Sequence, residues 1–308
     1  MSPLVPIGTA IVTATDALGM DGRRAIPRGS AGRVVALPVD PEHAYRIRIA
    51  DGDECSLVRD QFQILSHFQS TPDAPIDPLA ERGLFDHVIY RCVVGSRAYG
   101  LDHDASDTDR RGIYLPPASM HWSVYGVPEQ LENNATQECY WELEKFLRLC
   151  LKANPNALEA LYSPLVEHAD PIAQELRDIA SAFLSRMIYQ TFNGYAMSQF
   201  RKLEQDMRAR GQIKWKHAMH LLRLLISGAH ALKSGTLELR VGKERERLLE
   251  VRDGALPWNA VDAWRRELHR AFESAFVAST LPDRPDYQRA NALLIRARAL
   301  MARKEQLL

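Results

Sequence analysis

Ten residues separate Gly95-Ser96 from Asp107-Thr108-Asp109, in the stretch VVGSRAYGLDHDASDTDRRGIYL. Residues 88–94 (VIYRCVV) are mostly apolar, β-branched or aromatic, which predicts a buried strand. Gly95 lets the backbone turn sharply and approach a ligand closely. Ser96 and its neighbours offer a hydroxyl and backbone N–H groups that can receive a phosphate. Ser106 to Leu115 reads as a second strand, and a period of two sets Asp107 and Asp109 on one face of it. Two carboxylates ~4 Å apart repel by roughly 4 kcal/mol at an effective dielectric near 20, and a divalent cation removes that penalty. Hard oxygen donors favour Mg²⁺ or Mn²⁺ over zinc. Such an ion bridges triphosphate oxygens and neutralises charge that develops in phosphoryl transfer. The residues therefore point to a nucleoside triphosphate site.

The same string resembles the DNA polymerase β-type nucleotidyltransferase superfamily, whose mark is Gly-Ser, a spacer of about ten residues, and Asp-x-Asp. GSRAYGLDHDASDTDRRGIYLPP is similar to its RNA-ligase-associated, RlaP-like branch. The likeness continues through YWELEKFLRLCLKANPNALEALYSP (140–164) and IKWKHAMHLLRLL (213–225), and covers roughly residues 85 to 300. It implies a mixed sheet with helices, a helical region beside it, and nucleotide in the groove between them. It also implies a third carboxylate from a later strand. The place for it is TQECY (136–140), where Glu138 is the acid. Gln137 is the alternative occupant, and would leave the site with two carboxylates.

The implied reaction is Mg²⁺-dependent transfer of a nucleoside monophosphate from an NTP to a hydroxyl, with pyrophosphate released. Asp107 and Asp109 would hold the metal, Glu138 would complete the catalytic set, and Gly95 and Ser96 would cradle phosphates. Association of the family with RNA ligases makes an RNA end the expected acceptor. A protein target is the alternative, as in nucleotidyltransferase antitoxins that adenylylate a partner, or a catalytically weakened module that binds nucleotide or RNA.

A helix predicted over Ile213 to Gly235 adds Lys216, His220 and Arg223 at i, i+4 and i+7, one face of the helix. These groups suit a triphosphate. Segment 201–223 carries seven Lys or Arg against Glu204 and Asp206, so contact with an RNA backbone and a solvated basic surface are the competing readings. His220 alone also reads as a partly buried structural histidine.

The elements that must position these groups fall into an α+β chain of 308 residues. Formal net charge is zero, so attraction to nucleic acid must come from a local patch. No apolar run approaches the ~18 residues of a membrane span and the N-terminus lacks a signal-peptide pattern. Cys55, Cys92, Cys139 and Cys150 have no metal-like spacing and read as reduced core thiols of a cytoplasmic protein. Residues 1–65 show short strand-like runs (9–15, 32–39, 45–49, 54–58) with a hairpin signal at Asp51-Gly52, which predicts a small SH3-like β-barrel. Residues 66–84 read as a proline-bearing linker with a short helix near 78–82. Residues 85–170 form the expected catalytic domain, with a helix over 141–152 that stops at Asn154-Pro155 and another from Leu158. Residues 171–308 show helical periodicity over 172–187, 189–210, 213–235, 260–279 and 286–306, which predicts a helical bundle.

Overall fold

The computed structural model describes residues 5–306 apart from 21, 23, 39–42, 67–82, 104–105, 134 and 212. The chain divides into two compact units, residues 1–78 and 79–308. The expected short helix at 78–82 lies outside the described residues.

The first unit is built on strands β1 (Ala10–Thr13), β4 (Ala31–Ala36), β5 (Tyr45–Ile49), β6 (Glu54–Leu57) and β7 (Phe62–Ile64), in the order β6-β5-β4-β1-β7. β2 (Ala17–Leu18) and β3 (Ala25–Ile26) make a separate pair. β5 alternates buried Tyr45, Ile47 and Ile49 with exposed Arg46 and Arg48, the signature of a sheet with one covered face. The barrel expected from the sequence does not close: β6 and β7 are opposite edges of an open sheet among the described residues. Alternation reports which face of each strand is buried, and says nothing of whether the last strand meets the first.

The second unit begins with β8 (Val88–Val94), which feeds a single-turn helix, α1 (Ser96–Tyr99). β9 (Asp109–Tyr114), α2 (Ala118–His121), β10 (Gln130–Asn133) and β11 (Glu138–Glu142) follow. α3 (Leu143–Leu151), α4 (Pro155–Leu161) and β12 (Val166–Ala169) complete the sheet layer. The strand order is β10-β11-β9-β8-β12, with β9 and β11 parallel and the other pairs antiparallel. Gly112 is required within β9. A Cβ there would fall 1.9 Å from the Tyr90 carbonyl oxygen and 2.9 Å from the Tyr140 ring.

α3 buries Leu143, Phe146, Leu147, Cys150 and Leu151, an apolar stripe at three-to-four spacing. The Glu142 side chain caps it, accepting from the backbone N–H groups of Glu144 and Lys145. α4 starts at Pro155 rather than Leu158, because Asn154 caps it and proline fits the first helical position.

The remainder is helical: α5 (Pro171–Asp178), α6 (Met187–Arg210), α7 (Trp215–Ser234), α8 (Arg245–Arg252), α9 (Trp258–Ala278) and α10 (Tyr287–Lys304). The helix expected over 172–187 is broken. α5 ends at Asp178, a short 3₁₀ turn covers Ala180–Phe183, and Leu184 is extended. α8 carries no strong apolar stripe and went unpredicted. α7 is the central member, packed by α6, α8 and α9. One continuous hydrophobic core takes in the sheet (Cys92, Ile113, Trp141), α3, α4 and the helices through Ala297.

Candidate active site

Gly95 ends β8 with φ +74° and ψ −152°, a backbone conformation closed to L side chains, and α1 starts at the next residue. A Cβ on Gly95 would lie 3.0 Å from Asp109 Oδ2. The Asp109 carboxylate therefore sits directly over the turn that carries Ser96. The ladder makes this possible by pairing Val94 with Asp109 at the end of β8. The carbonyls beyond α1 are held by distant residues. Val241 N–H donates to Tyr99 O, Arg245 Nε to Gly100 O at 2.8 Å, and Arg252 Nη1 to Leu101 O.

Asp107 is placed differently from expectation. β9 begins at Asp109, so Asp107 and Thr108 lie in the preceding loop and the two-residue strand period does not relate the two acids. The reason is local: Arg97 takes the Ser106 carbonyl at 2.7 Å and the Asp107 carbonyl at 3.4 Å, satisfying groups that a strand partner would otherwise pair. Asp107 is exposed and Asp109 half-buried. Among the described residues no group of three or more His, Cys, Asp and Glu is gathered as a metal cluster.

Glu138 pairs with Arg110 in the parallel ladder, and adjacent residues of β9 point to opposite faces, so Glu138 leaves the sheet on the face of Arg110 and Tyr140, at the rim of the cavity that Arg111 also lines. Gln137 immediately precedes β11. Its backbone is left-handed at φ +56°, and its carbonyl accepts from Arg110 N–H at 3.0 Å and from Arg111 Nη1 at 3.3 Å.

The three cationic positions of α7 share a helix face, but that face runs inward. Lys216 is exposed, His220 half-buried and Arg223 buried. Arg223 Nη2 donates to Glu159 Oε1 at 2.7 Å, and its guanidinium lies 3.7 Å from the centre of the Tyr99 ring. The Tyr99 hydroxyl donates to the other Glu159 oxygen. Burial works against the Arg223 charge, but the Glu159 carboxylate offsets it and the pKa rises. Burial pushes the Tyr99 phenol up, and Asp109 is near enough to add to that shift. This trio ties the end of α1 to α4 and α7.

A cavity of about 210 Å³ opens beside the trio, lined by Tyr99, Asn156, Tyr195, His217, His220 and Arg223. Burial and the neighbouring cations Arg223 and Lys216 pull the His220 pKa down to about 4. His217 is lowered too, by burial and by Lys214 and Lys202, so both rings are neutral at pH 7. A second cavity, of about 420 Å³, lies over the β10–β11 edge and is lined by Arg111, Glu132, Gln137, Lys145 and Asn154 among others. Asn156 borders both.

A glycine turn under a carboxylate, a mixed sheet and a helical layer in one core are the parts that the Gly-Ser and Asp-x-Asp pattern implied. Residues 67–296 match the family RlaP, described as RNA repair pathway DNA polymerase beta family, over well more than half of the chain. The chain belongs to the RlaP family.

It is 30% identical over 156 residues to the uncharacterized protein YcgL of Bacillus subtilis (strain 168), covering 49% of this chain and 58% of YcgL. It is 26% identical over 153 residues to the uncharacterized protein MJ0002 of Methanocaldococcus jannaschii, covering 48% of this chain and 61% of MJ0002. The alignments thus span less than two thirds of either relative. RlaP membership agrees with a polymerase-β-like nucleotidyltransferase. Among the described residues no helix is long and apolar enough to cross a membrane.

Several residues that line this RlaP site were not singled out by spacing. His217 was overshadowed by Lys216, although only His217 of the two lines the recess. Glu159, whose type and place in the chain fit ordering the site as well as a cap or surface role, is the acid at the centre of the buried trio. Glu132 gave no signal, because its relation to Asp109 exists only through strand pairing.

Proposed function

We propose that this protein transfers a nucleoside monophosphate from an NTP to a hydroxyl group and releases pyrophosphate. The observation that carries the reading is the Gly95 turn, at φ +74° and faced by Asp109 Oδ2, 3.0 Å from where a Cβ would stand. Gly95 and Ser96 bind phosphate oxygens through backbone N–H groups and the serine hydroxyl. Asp107 and Asp109 would hold Mg²⁺ or Mn²⁺. The donor set fits such an ion, being two hard carboxylates with the remaining ligands left to phosphate oxygens and water. When bound, the ion neutralises charge on the triphosphate. Lys216, exposed at the start of α7, attracts the polyphosphate; His220 lines the recess behind it, and Arg223 holds that recess in shape through Glu159 rather than meeting phosphate directly. An RNA end is the acceptor that the family description favours.

One observation favours a second reading. Gln137, not an acid, meets the strand that carries Asp109, its carbonyl accepting from Arg110 N–H at 3.0 Å. A core with two carboxylates would bind nucleotide and transfer it slowly or not at all, and the chain would then act as a nucleotide-binding module. A protein acceptor is a further outcome of the same test. Labelled NTPs are incubated with Mg²⁺, mixed tRNA and the protein, in wild type and in the Asp107→Ala/Asp109→Ala double variant. Metal-dependent transfer that disappears in the variant supports the enzyme. Nucleotide binding without transfer to RNA, protein or the chain itself sinks it. Mg²⁺ with ATP at a hundred times its Kd stabilises the wild type by about 2.7 kcal/mol and the variant much less.

A further inference from the structure

The cavity of about 420 Å³ over the β10–β11 edge differs in chemistry from the histidine-lined recess. Amides converge on it from Gln130, Asn133, Asn154 and Asn156, and Trp141 forms part of its wall. Side-chain amides present paired donors and acceptors, and an indole presents a flat apolar face. Together they suit a ring that is apolar on its faces and carries hydroxyl groups at its edge. Arg111 and Gln137 line the same cavity, and Arg111 stands two residues along β9 from Asp109.

Two acids line this cavity: Glu138 of β11, which the ladder sets on the face of Arg110, and Glu132 of the outermost strand. Glu132 pairs with Cys139, and Cys139 pairs with Arg111, so Glu132 shares the sheet face of Arg111 and Asp109. Two strand spacings across and two residues along place its Cα about 12 Å from that of Asp109. Side chains reaching inward from both leave room for one hydroxyl oxygen between them. Glu132 is exposed and accepts from the Gln130 amide. Gln137, in the same lining, carries an amide and has no basic site for a proton.

The geometry points to this cavity as the acceptor site. It takes the hydroxyl-bearing sugar ring of a nucleoside-type acceptor, and Glu132 takes the proton of the attacking hydroxyl. This rests on the nucleotidyl transfer proposed above. The acceptor O–H gives its proton to the Glu132 carboxylate, and the oxygen forms a bond to the α-phosphorus of the NTP. The bond from that phosphorus to the oxygen bridging to the β-phosphate breaks, and pyrophosphate leaves with the electron pair.

The test gives the full-length protein α-labelled NTPs with Mg²⁺ and three probes: a short RNA with a 3′-terminal ribose diol, the same RNA after periodate oxidation, and free adenosine. Transfer to a diol-bearing probe is expected, with loss on oxidation, and the intact probe that accepts label identifies where the ring comes from. Glu132→Gln lowers the rate about 100-fold, within the range of general-base effects, while NTP affinity stays within twofold. Adding Gln137→Glu restores part of the lost rate by setting a carboxylate in the same cavity. A Glu132→Gln variant as fast as wild type overturns the role of Glu132, and leaves nucleotidyl transfer standing. Label transfer that survives oxidation overturns the sugar-ring acceptor. Absence of transfer by the wild type to every probe, with NTP bound, overturns this proposal together with the reading it rests on.

Discussion

Replacing Arg223 by Met removes the cation from a pair whose partners are only 4% and 5% exposed. Met keeps much of the side-chain volume, so little of the cost is a cavity. The cost arises because Glu159 stays in the interior with its Arg223 contact gone and the Tyr99 hydroxyl remaining. Breaking one side of a buried ion pair costs about 3–5 kcal/mol. Arg223 Nε and Nη1 have no hydrogen-bond partner, which reduces what the native pair contributes and places the expected loss near ~3 kcal/mol. Glu159→Gln in the same chain removes the stranded charge and recovers roughly 2 kcal/mol of that loss. Urea unfolding followed by tryptophan fluorescence reads this cleanly. All five tryptophans (Trp122, Trp141, Trp215, Trp258, Trp264) lie in the second unit, so the signal excludes the N-terminal sheet. With an m-value of about 3 kcal/mol/M, the midpoint of Arg223→Met falls by about 1 M. A fall below ~0.3 M, or a double variant as unstable as the two single losses added, refutes the claim that this pair holds α1 to α7.

Two further outcomes follow from the same contacts. His220 has its pKa lowered from 6.5 to about 4, so the unfolded chain binds the extra proton between those values. Stability is therefore full above pH 6.5 and falls as pH drops toward 4, by at most about 3 kcal/mol, and His220→Gln flattens that limb of a thermal-melt series. Gly112→Ala drives a Cβ into the Tyr90 carbonyl, which costs about 3 kcal/mol or more, and the variant is expected to lose its cooperative melt. A Gly112→Ala protein that melts within a degree or two of wild type would mean that β8 and β9 are farther apart than described.

The parts of the fold legible in the sequence are those encoded by near neighbours. β8, the turn at Gly95, the stripe of α3 and the Asn154-Pro155 boundary all follow from local residue types. The family was legible because Gly-Ser and Asp-x-Asp stand together with flanking segments that resemble it, and residues 67–296 match its model. What could not be read was pairing. Glu138 looked like the third acid because it is the acid in TQECY, and only the ladder shows that it shares the face of Arg110. Lys216, His220 and Arg223 looked equivalent because helical spacing gives azimuth and not depth. The N-terminal strands were located well, but closure into a barrel depends on contacts between their first and last members, which alternation does not encode. Asp107 fell outside β9 because Arg97, ten residues earlier, claims the loop carbonyls.

The carbonyls of Gly100 and Leu101, just beyond the helix that carries Ser96, are held by Arg245 and Arg252, 145 and 151 residues later. On a ribosome adding 5–20 residues per second, the turn emerges about 7–30 s before the arginines that fix it. Only after β12 ends at Ala169 can the sheet be complete, and from then until Arg245 and Arg252 emerge the turn has its sheet and lacks its brace. The braced turn is thus deferred until most of the polypeptide has been made, and premature termination before Arg252 yields a product without it.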